Sequence, residues 1–245
     1  MGVAPSTETT ALYERIRAAG EAVPNNLPPQ PTSFVGRVRE FAHIEAALLK
    51  PECRLITLLG AGGIGKTRLA SQAAERALKI GAFLNGVYFV PLASVDSPDL
   101  LAPAIAHACD FIFSGKQAPQ AQVVNFLREK EALLVLDNFE QLLDAAEWLS
   151  QLLKSAPNVK LLVTSRERVN VQWEWLIVIE GLDYPNAPRE GGTLRVKDEE
   201  TQSSFAAMEL FIERARQARP DFELNDATRA GVARVCQLVE GMPLG

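Results

Sequence analysis

The chain has 245 residues, of which 47% are hydrophobic and 22% charged, with a formal net charge of −5. That length and apolar content support a buried core in one domain of ordinary size with a smaller one attached. The mild acidity, with lysines and arginines scattered rather than striped, argues against direct nucleic-acid contact. No apolar run approaches the roughly 18 residues of a membrane span, and the N-terminus lacks a signal-peptide block, so the expected location is the cytoplasm.

In chain order, residues 1–26 read as an N-terminal helix, "ALYERIRAAG", and a linker that runs into the Pro-rich "VPNNLPPQP". A helix is expected at about 38–49, then a strand "RLITLLG". The next helix runs from Lys66 to about Leu78, with Leu69, Ala73 and Ala77 on one face and Gly81 as its C-cap. A second strand, "GVYFVPL", precedes a helix marked by Leu101, Ala104, Ile105 and Ala108 and another over 119–129. The third strand is "ALLVLDN", and Leu142, Ala146, Leu149 and Leu153 then mark an amphipathic helix. "VKLLVTSR" and "WLIVIEG" are the fourth and fifth strands.

Strands that are apolar throughout and alternate with helices indicate an α/β fold, a parallel sheet in three αβα layers. The polar stretch 183–203 breaks the alternation, so the core is placed at 27–182, a linker at 183–203 and a partial helical subdomain at 204–245. Its two helices are expected at about 204–218 and 226–240, the second burying Val232, Val235, Cys236 and Val239. Cys53, Cys109 and Cys236 have no Cys-x-x-Cys spacing and read as buried free thiols. His43 and His107 have no companion ligands in sequence.

The first strand leads into Gly60, Ala61, Gly62, Gly63, Ile64, Gly65, Lys66, Thr67 and Arg68, which fits G-x-x-x-x-G-K-[ST]. Glycines let successive backbone N–H groups curl inward, and the helix that follows adds the positive end of its dipole, which together make a cradle for phosphate oxygens. Lys66 is assigned to the terminal phosphates and the Thr67 hydroxyl to Mg2+. Such a site needs a second carboxylate at the end of a neighbouring strand, and Asp137, closing the third strand, supplies it. Asn138, with Gln141 three residues on, is expected to cap the following helix and so free Asp137 for the metal. Arg166, at the end of the fourth strand, is assigned as a phosphate sensor; Arg168 reads as sensor or as solvated loop charge.

The motifs "TSFVGR", "GAGGIGKT", "LLVLDNFE", "LLVTSRER" and "VEGMPLG", in that order from Leu27 to the last residue, resemble the STAND class of signal-transduction P-loop ATPases. The likeness is closest to the NB-ARC-like nucleotide domain of bacterial AfsR- and LuxR-type transcriptional regulators. It implies an ATP/ADP switch with Mg2+, in which Phe34, Val35, Gly36 and Arg37 pack beside the adenine and their backbone groups read its edge. It makes Arg166 the sensor arginine, and it brings Pro243 of Gly241-Met242-Pro243 to the nucleotide from the helical unit.

Hydrolysis is expected to be slow. Asn138 stands where fast P-loop ATPases often carry an acid, Pro91 replaces a polar residue, and Glu140 reads as serving a helix dipole. The resemblance also implies a fragment, with flanking winged-helix and sensor-repeat domains in the parent chain and self-association on activation. Two alternatives keep the phosphate site: a STAND module of an antiviral or stress sensor, and a metabolic or motor P-loop ATPase.

Overall fold

Five strands form one wholly parallel sheet in the computed structural model, which describes residues 23–185 and 205–243. The helix expected within residues 1–22, most of the 183–203 linker, and Leu244 and Gly245 lie outside the described residues. The strands are β1 (Leu55–Leu59), β2 (Val87–Pro91), β3 (Leu133–Asp137), β4 (Lys160–Ser165) and β5 (Glu174–Val178), in the order β2-β3-β4-β1-β5. All five residues of β3 are buried, as a central strand covered on both faces requires. Pro91 closes β2, and an edge strand is where a residue without an N–H is tolerated.

The outer side of β2 is itself covered. Asn25 bridges to Val87, and the Val87 N–H donates to the Pro24 carbonyl at 3.0 Å. The Asn26 carboxamide then pairs with Phe89 at both ends: Nδ2 donates to the Phe89 carbonyl at 2.9 Å, and Oδ1 accepts the Phe89 N–H at 2.6 Å. A side-chain amide thus imitates one residue of a neighbouring strand.

Seven α-helices are described: α1 (Val38–Leu49), α2 (Lys66–Lys79), α3 (Leu101–Ala108), α4 (Pro119–Leu127), α5 (Ala146–Ser155), α6 (Ala206–Ala218) and α7 (Asp226–Leu238). Leu69, Ala70, Ala73, Ala74 and Ala77 form the buried face of α2. That helix ends as its sequence predicts: Gly81 has φ +64°, its N–H meets the Leu78 carbonyl, and the Ala82 N–H meets the Ala77 carbonyl. On α7, Asn225 and Thr228 form a capping box.

Two expectations are corrected. The helix marked from Leu142 begins only at Ala146, because residues 139–145 make two 3₁₀ turns. Positions three apart eclipse on such a turn, which lets Phe139 and Leu142 bury completely together. On α7 the buried stripe is Val232 and Cys236, one α-helical turn apart, while Val235 is 41% exposed.

The chain groups into two compact units. One contains the segment ending at Pro29 with Glu40–Leu59 and Lys66–Val178; the other contains Gln30–Arg39, Gly60–Gly65 and Ile179–Gly245. The first has its core between sheet and helices, with Leu134 and Leu136 of β3, Leu161 and Val163 of β4, Ile105 of α3 and Leu149 of α5. The second is built on Leu182, Ala207, Met208, Val232 and Cys236. Within it two backbones touch at glycines: the Leu182 N–H donates to the Gly241 carbonyl at 2.9 Å, and a Cβ on Gly241, whose φ is +69°, would stand 2.0 Å from the Leu182 carbonyl oxygen. All three cysteines are buried and unbridged. Among the described residues, no helix is long and apolar enough to cross a membrane.

Candidate functional site

Parallel α/β sheets gather their functional groups at the carboxyl ends of the strands, where β1, β3 and β4 deliver the predicted residues here. After β1 the chain runs through the glycine loop, in which Gly63 and Gly65 take φ +76° and +95°, a region costly for any residue with a Cβ. Arg37, buried and itself left-handed at φ +63°, sends Nη2 to the Ile64 carbonyl of that loop at 3.0 Å. The "FVGR" segment is therefore joined to the phosphate loop by a side chain, beyond the backbone role expected of it. Phe34, Val35 and Gly36 are half-buried beside it, and the Cγ of Pro243 lies 3.7 Å from where a Cβ on Gly65 would sit. The loop, Arg37 and Pro243 are thus brought together.

Lys66 and Thr67 open α2. The Thr67 hydroxyl donates to Asp137 Oδ1 at 2.7 Å, and the Thr164 hydroxyl donates to the same oxygen at 2.6 Å. Oδ2 stays outside these two bonds. Lys66 is 8% exposed, and burial pushes its amine below the ordinary lysine range; Glu140 and Asp137 pull it back up, and Arg166 pushes it down. A buried cation in this position gains from a neighbouring anion.

Glu140 carries two surprises. Its Oε1 pairs with Arg166 Nε at 3.1 Å, and its Oε2 is buried with no hydrogen-bond partner among the described residues. In place of the helix-dipole role expected of it, it lies in a short 3₁₀ turn and pairs with Arg166. Asn138 does not cap a helix either: it is left-handed at φ +65°, makes no capping bond, and gives its N–H to Thr164 Oγ1 at 3.0 Å. Arg168 resolves as a loop charge. It sits 3.9 Å from Glu174, whose carboxylate accepts the N–H groups of Val169 and Asn170 at 2.8 and 3.0 Å. Arg68 is half-buried on α2.

Thr164 is the site residue that sequence reasoning missed. The one signal was a hydroxyl near the end of an otherwise apolar strand, which a β-branched residue disguises as packing. The residues present suit Mg2+ and phosphate: a hydroxyl and a carboxylate are hard oxygen donors, and the glycine loop offers backbone N–H groups.

Comparisons with known proteins identify the family. The NACHT domain family matches residues 54–189, more than half of the chain. An uncharacterized protein of Mycobacterium tuberculosis is 32% identical over 219 residues, covering 87% of this chain and 49% of that protein. A second protein of the same organism, provisionally named an HTH-type transcriptional regulator, is 31% identical over 194 residues, covering 78% of this chain and 19% of that protein. The chain therefore spans half or less of the length of these relatives. Among solved structures, the STAND protein with a tetratricopeptide repeat sensor from Pyrococcus horikoshii has the same fold, at TM-score 0.53 and 18% identity over 89% of this chain and 30% of that one. With its parallel sheet, its glycine loop and its Thr67–Asp137 pair, the chain belongs to the NACHT domain family, in the STAND class of P-loop ATPases.

Proposed function

We propose that this chain is the nucleotide-operated switch of a larger signalling protein, binding ATP or ADP with Mg2+ and hydrolysing ATP slowly. The observation that carries the reading is the convergence of the Thr67 and Thr164 hydroxyls on one oxygen of Asp137, beside the buried Lys66 amine. That arrangement suits a metal-bridged triphosphate, with Lys66 against the terminal phosphates and loop N–H groups around them. Phe34, Val35, Gly36 and Arg37 take the adenine side, and Pro243 the far side of the loop. Thr67 and Asp137 would hold Mg2+, which would supply neutralising charge to the phosphates.

Slow turnover follows from the state of Glu140. It is the acid that follows Asp137 in the turn after β3, and its carboxylate is engaged by Arg166 rather than presented to water. An ATP terminal phosphate competes for Arg166, so occupancy can be read by this arginine before any bond is cleaved. Exchange of ADP for ATP is then relayed to the flanking domains of the parent protein, or to self-association. The likeness to a relative provisionally named a transcriptional regulator supports a winged-helix or sensor-repeat neighbour and a parent that controls transcription. The 27–182 core, 183–203 linker and 204–245 helical subdomain remain the proposed working parts.

Mass analysis of the nucleotide that co-purifies with the chain tests this. Bound ADP or ATP that disappears in Lys66→Ala supports the switch, and no nucleotide in either protein overturns it. Turnover well above about 1 per second would mark an ordinary enzyme instead.

A further inference from the structure

Thr164 is fully buried, one residue before the end of β4. The β3–β4 ladder has its last pair at Leu136 and Val163, so the next step would set Asp137 opposite Thr164. There the Thr164 side chain takes over from the backbone. Its hydroxyl proton goes to Asp137 Oδ1 at 2.6 Å, and its oxygen accepts the Asn138 N–H at 3.0 Å. One hydroxyl thus holds both the carboxylate and the backbone immediately after it.

Burial alone does not give a threonine of this sheet such pairing. Thr57, equally buried in β1, leaves its hydroxyl without a partner among the described residues. The contrast shows that the bonds at Thr164 come from its place at the strand end and not from burial alone. A hydroxyl donating to a carboxylate is among the stronger hydrogen bonds of a protein interior. The Asn138 N–H bond in turn helps to hold the left-handed backbone there, a conformation that asparagine tolerates.

The consequence reaches further along the chain. From Asn138 the turn passes through Phe139, which is fully buried, to Glu140, and Glu140 meets Arg166, two residues beyond Thr164. The covalent chain, the Thr164 bonds and the ion pair close a ring of interactions through Asp137, Asn138, Glu140 and Arg166. Withdrawal of Arg166 opens the ring at one point only, and the Thr164 bonds, with the Thr67 hydroxyl on the same oxygen, still keep the metal-side carboxylate in register.

We propose that Thr164 is a positioning residue: its hydroxyl fixes Asp137 for a divalent cation and ties that carboxylate to the turn that Arg166 reads. The cation's role rests on the nucleotide-switch reading; the latch itself rests on the two hydrogen bonds. Thr164→Val removes both bonds at nearly constant volume, and Thr164→Ser retains them.

Two measurements test it. The first is amide hydrogen exchange at Asn138 in the nucleotide-free protein, where Thr164→Val should exchange about tenfold faster while Thr164→Ser stays close to the parent. The second is ATP affinity with Mg2+ and with a chelator. The gain in affinity given by Mg2+ should fall about tenfold in the valine variant, the magnitude expected for one charge-assisted hydrogen bond, with affinity in chelator within about twofold, and the serine variant should restore it. A purely structural role would weaken both conditions equally, and that result overturns the proposal, as does unchanged Asn138 exchange. If the parent chain binds no nucleotide, the switch reading falls, and the Asn138 exchange still decides whether the latch exists. Should the valine variant fail to fold, Thr164→Ala carries the same comparison.

Discussion

Arg166 and Glu140 are paired with Nε 3.1 Å from Oε1, yet their side chains differ in exposure, at 62% for the arginine and 15% for the glutamate. The arginine can leave for solvent or for a phosphate at small cost, whereas the carboxylate stays where the turn holds it. Arg166→Ala is therefore expected to shift the unfolding midpoint by less than about 3 °C, because an ion pair this exposed contributes at most about 1 kcal/mol. Calorimetric titration should show ATP affinity falling about tenfold with ADP affinity within about threefold, a coupling of ordinary allosteric size. Equal losses for the two nucleotides would remove Arg166 as the reader of the terminal phosphate.

Lys66 presents the opposite case, a cation buried in the fold itself. Burial lowers its pKa from the ordinary 10.5, so the folded state disfavours the charged amine. The cost is present at neutral pH and is relieved as pH rises through the lowered value toward 10.5. Lys66→Met keeps the stem and discards the charge. The nucleotide-free variant should melt above the parent at pH 7, and the gap should close toward pH 10.5. Addition of Mg2+ and ATP should raise the melting temperature of the parent only. A variant that melts lower at every pH would show that Lys66 is already stabilised by its neighbours.

Two buried thiols predict the alkaline limit of the fold. Burial pushes Cys109 up from 9.0 to about 12, and it raises Cys53 from 9.0 to about 11. Because the folded state resists thiolate formation, the stability that these groups contribute is intact below pH 9.0 and is lost as pH rises through 11 and 12. Urea midpoints should thus decline from about pH 9 upward, and Cys109→Ala should show a shallower decline. Neither thiol should react with an aromatic disulfide at pH 8 until the chain unfolds.

Arg54 closes the C-terminal end of α5. Its Nε donates to the Val159 carbonyl at 2.9 Å, and its Nη2 donates to the Ala156 and Leu153 carbonyls at 2.6 and 3.2 Å. The Leu153 and Ala156 carbonyls are among those that a helix end leaves without intrahelical partners, and a cation there also opposes the dipole. Arg54→Met should cost about 2 kcal/mol, or about 4–8 °C in thermal unfolding, since hydrogen bonds to charged groups are worth about 1.5–3 kcal/mol. Arg54→Lys cannot match the planar fork and should recover only part of it.

Sequence reasoning found the strands because each is a continuous apolar run, and it found the phosphate loop because its glycines and Lys66-Thr67 have a fixed spacing. It failed next to Asp137. Asn138 is a preferred N-cap type, and Leu142, Ala146, Leu149 and Leu153 have helical spacing, so nothing local announced two 3₁₀ turns driven by the burial of Phe139 and Leu142. Glu140 looked like a first-turn acid because its partner, Arg166, comes from another strand end. Arg37 meets Ile64 in the same way, through a contact that only the folded chain defines. Periodicity reports which face of an element is buried; it carries no information on which polar groups two strand ends bring within 3 Å.

The stitching of Asn25 and Asn26 onto β2 has a mechanical meaning. A tether held by loop contacts would peel away bond by bond under tension. Here the segment runs parallel to β2, so a pull on the chain ahead of it loads several hydrogen bonds at once, in shear. β2 passes that load to β3, where Pro91 lies in register with Asp137. Strain arriving from upstream would reach Asp137 through the sheet itself, without any hinge.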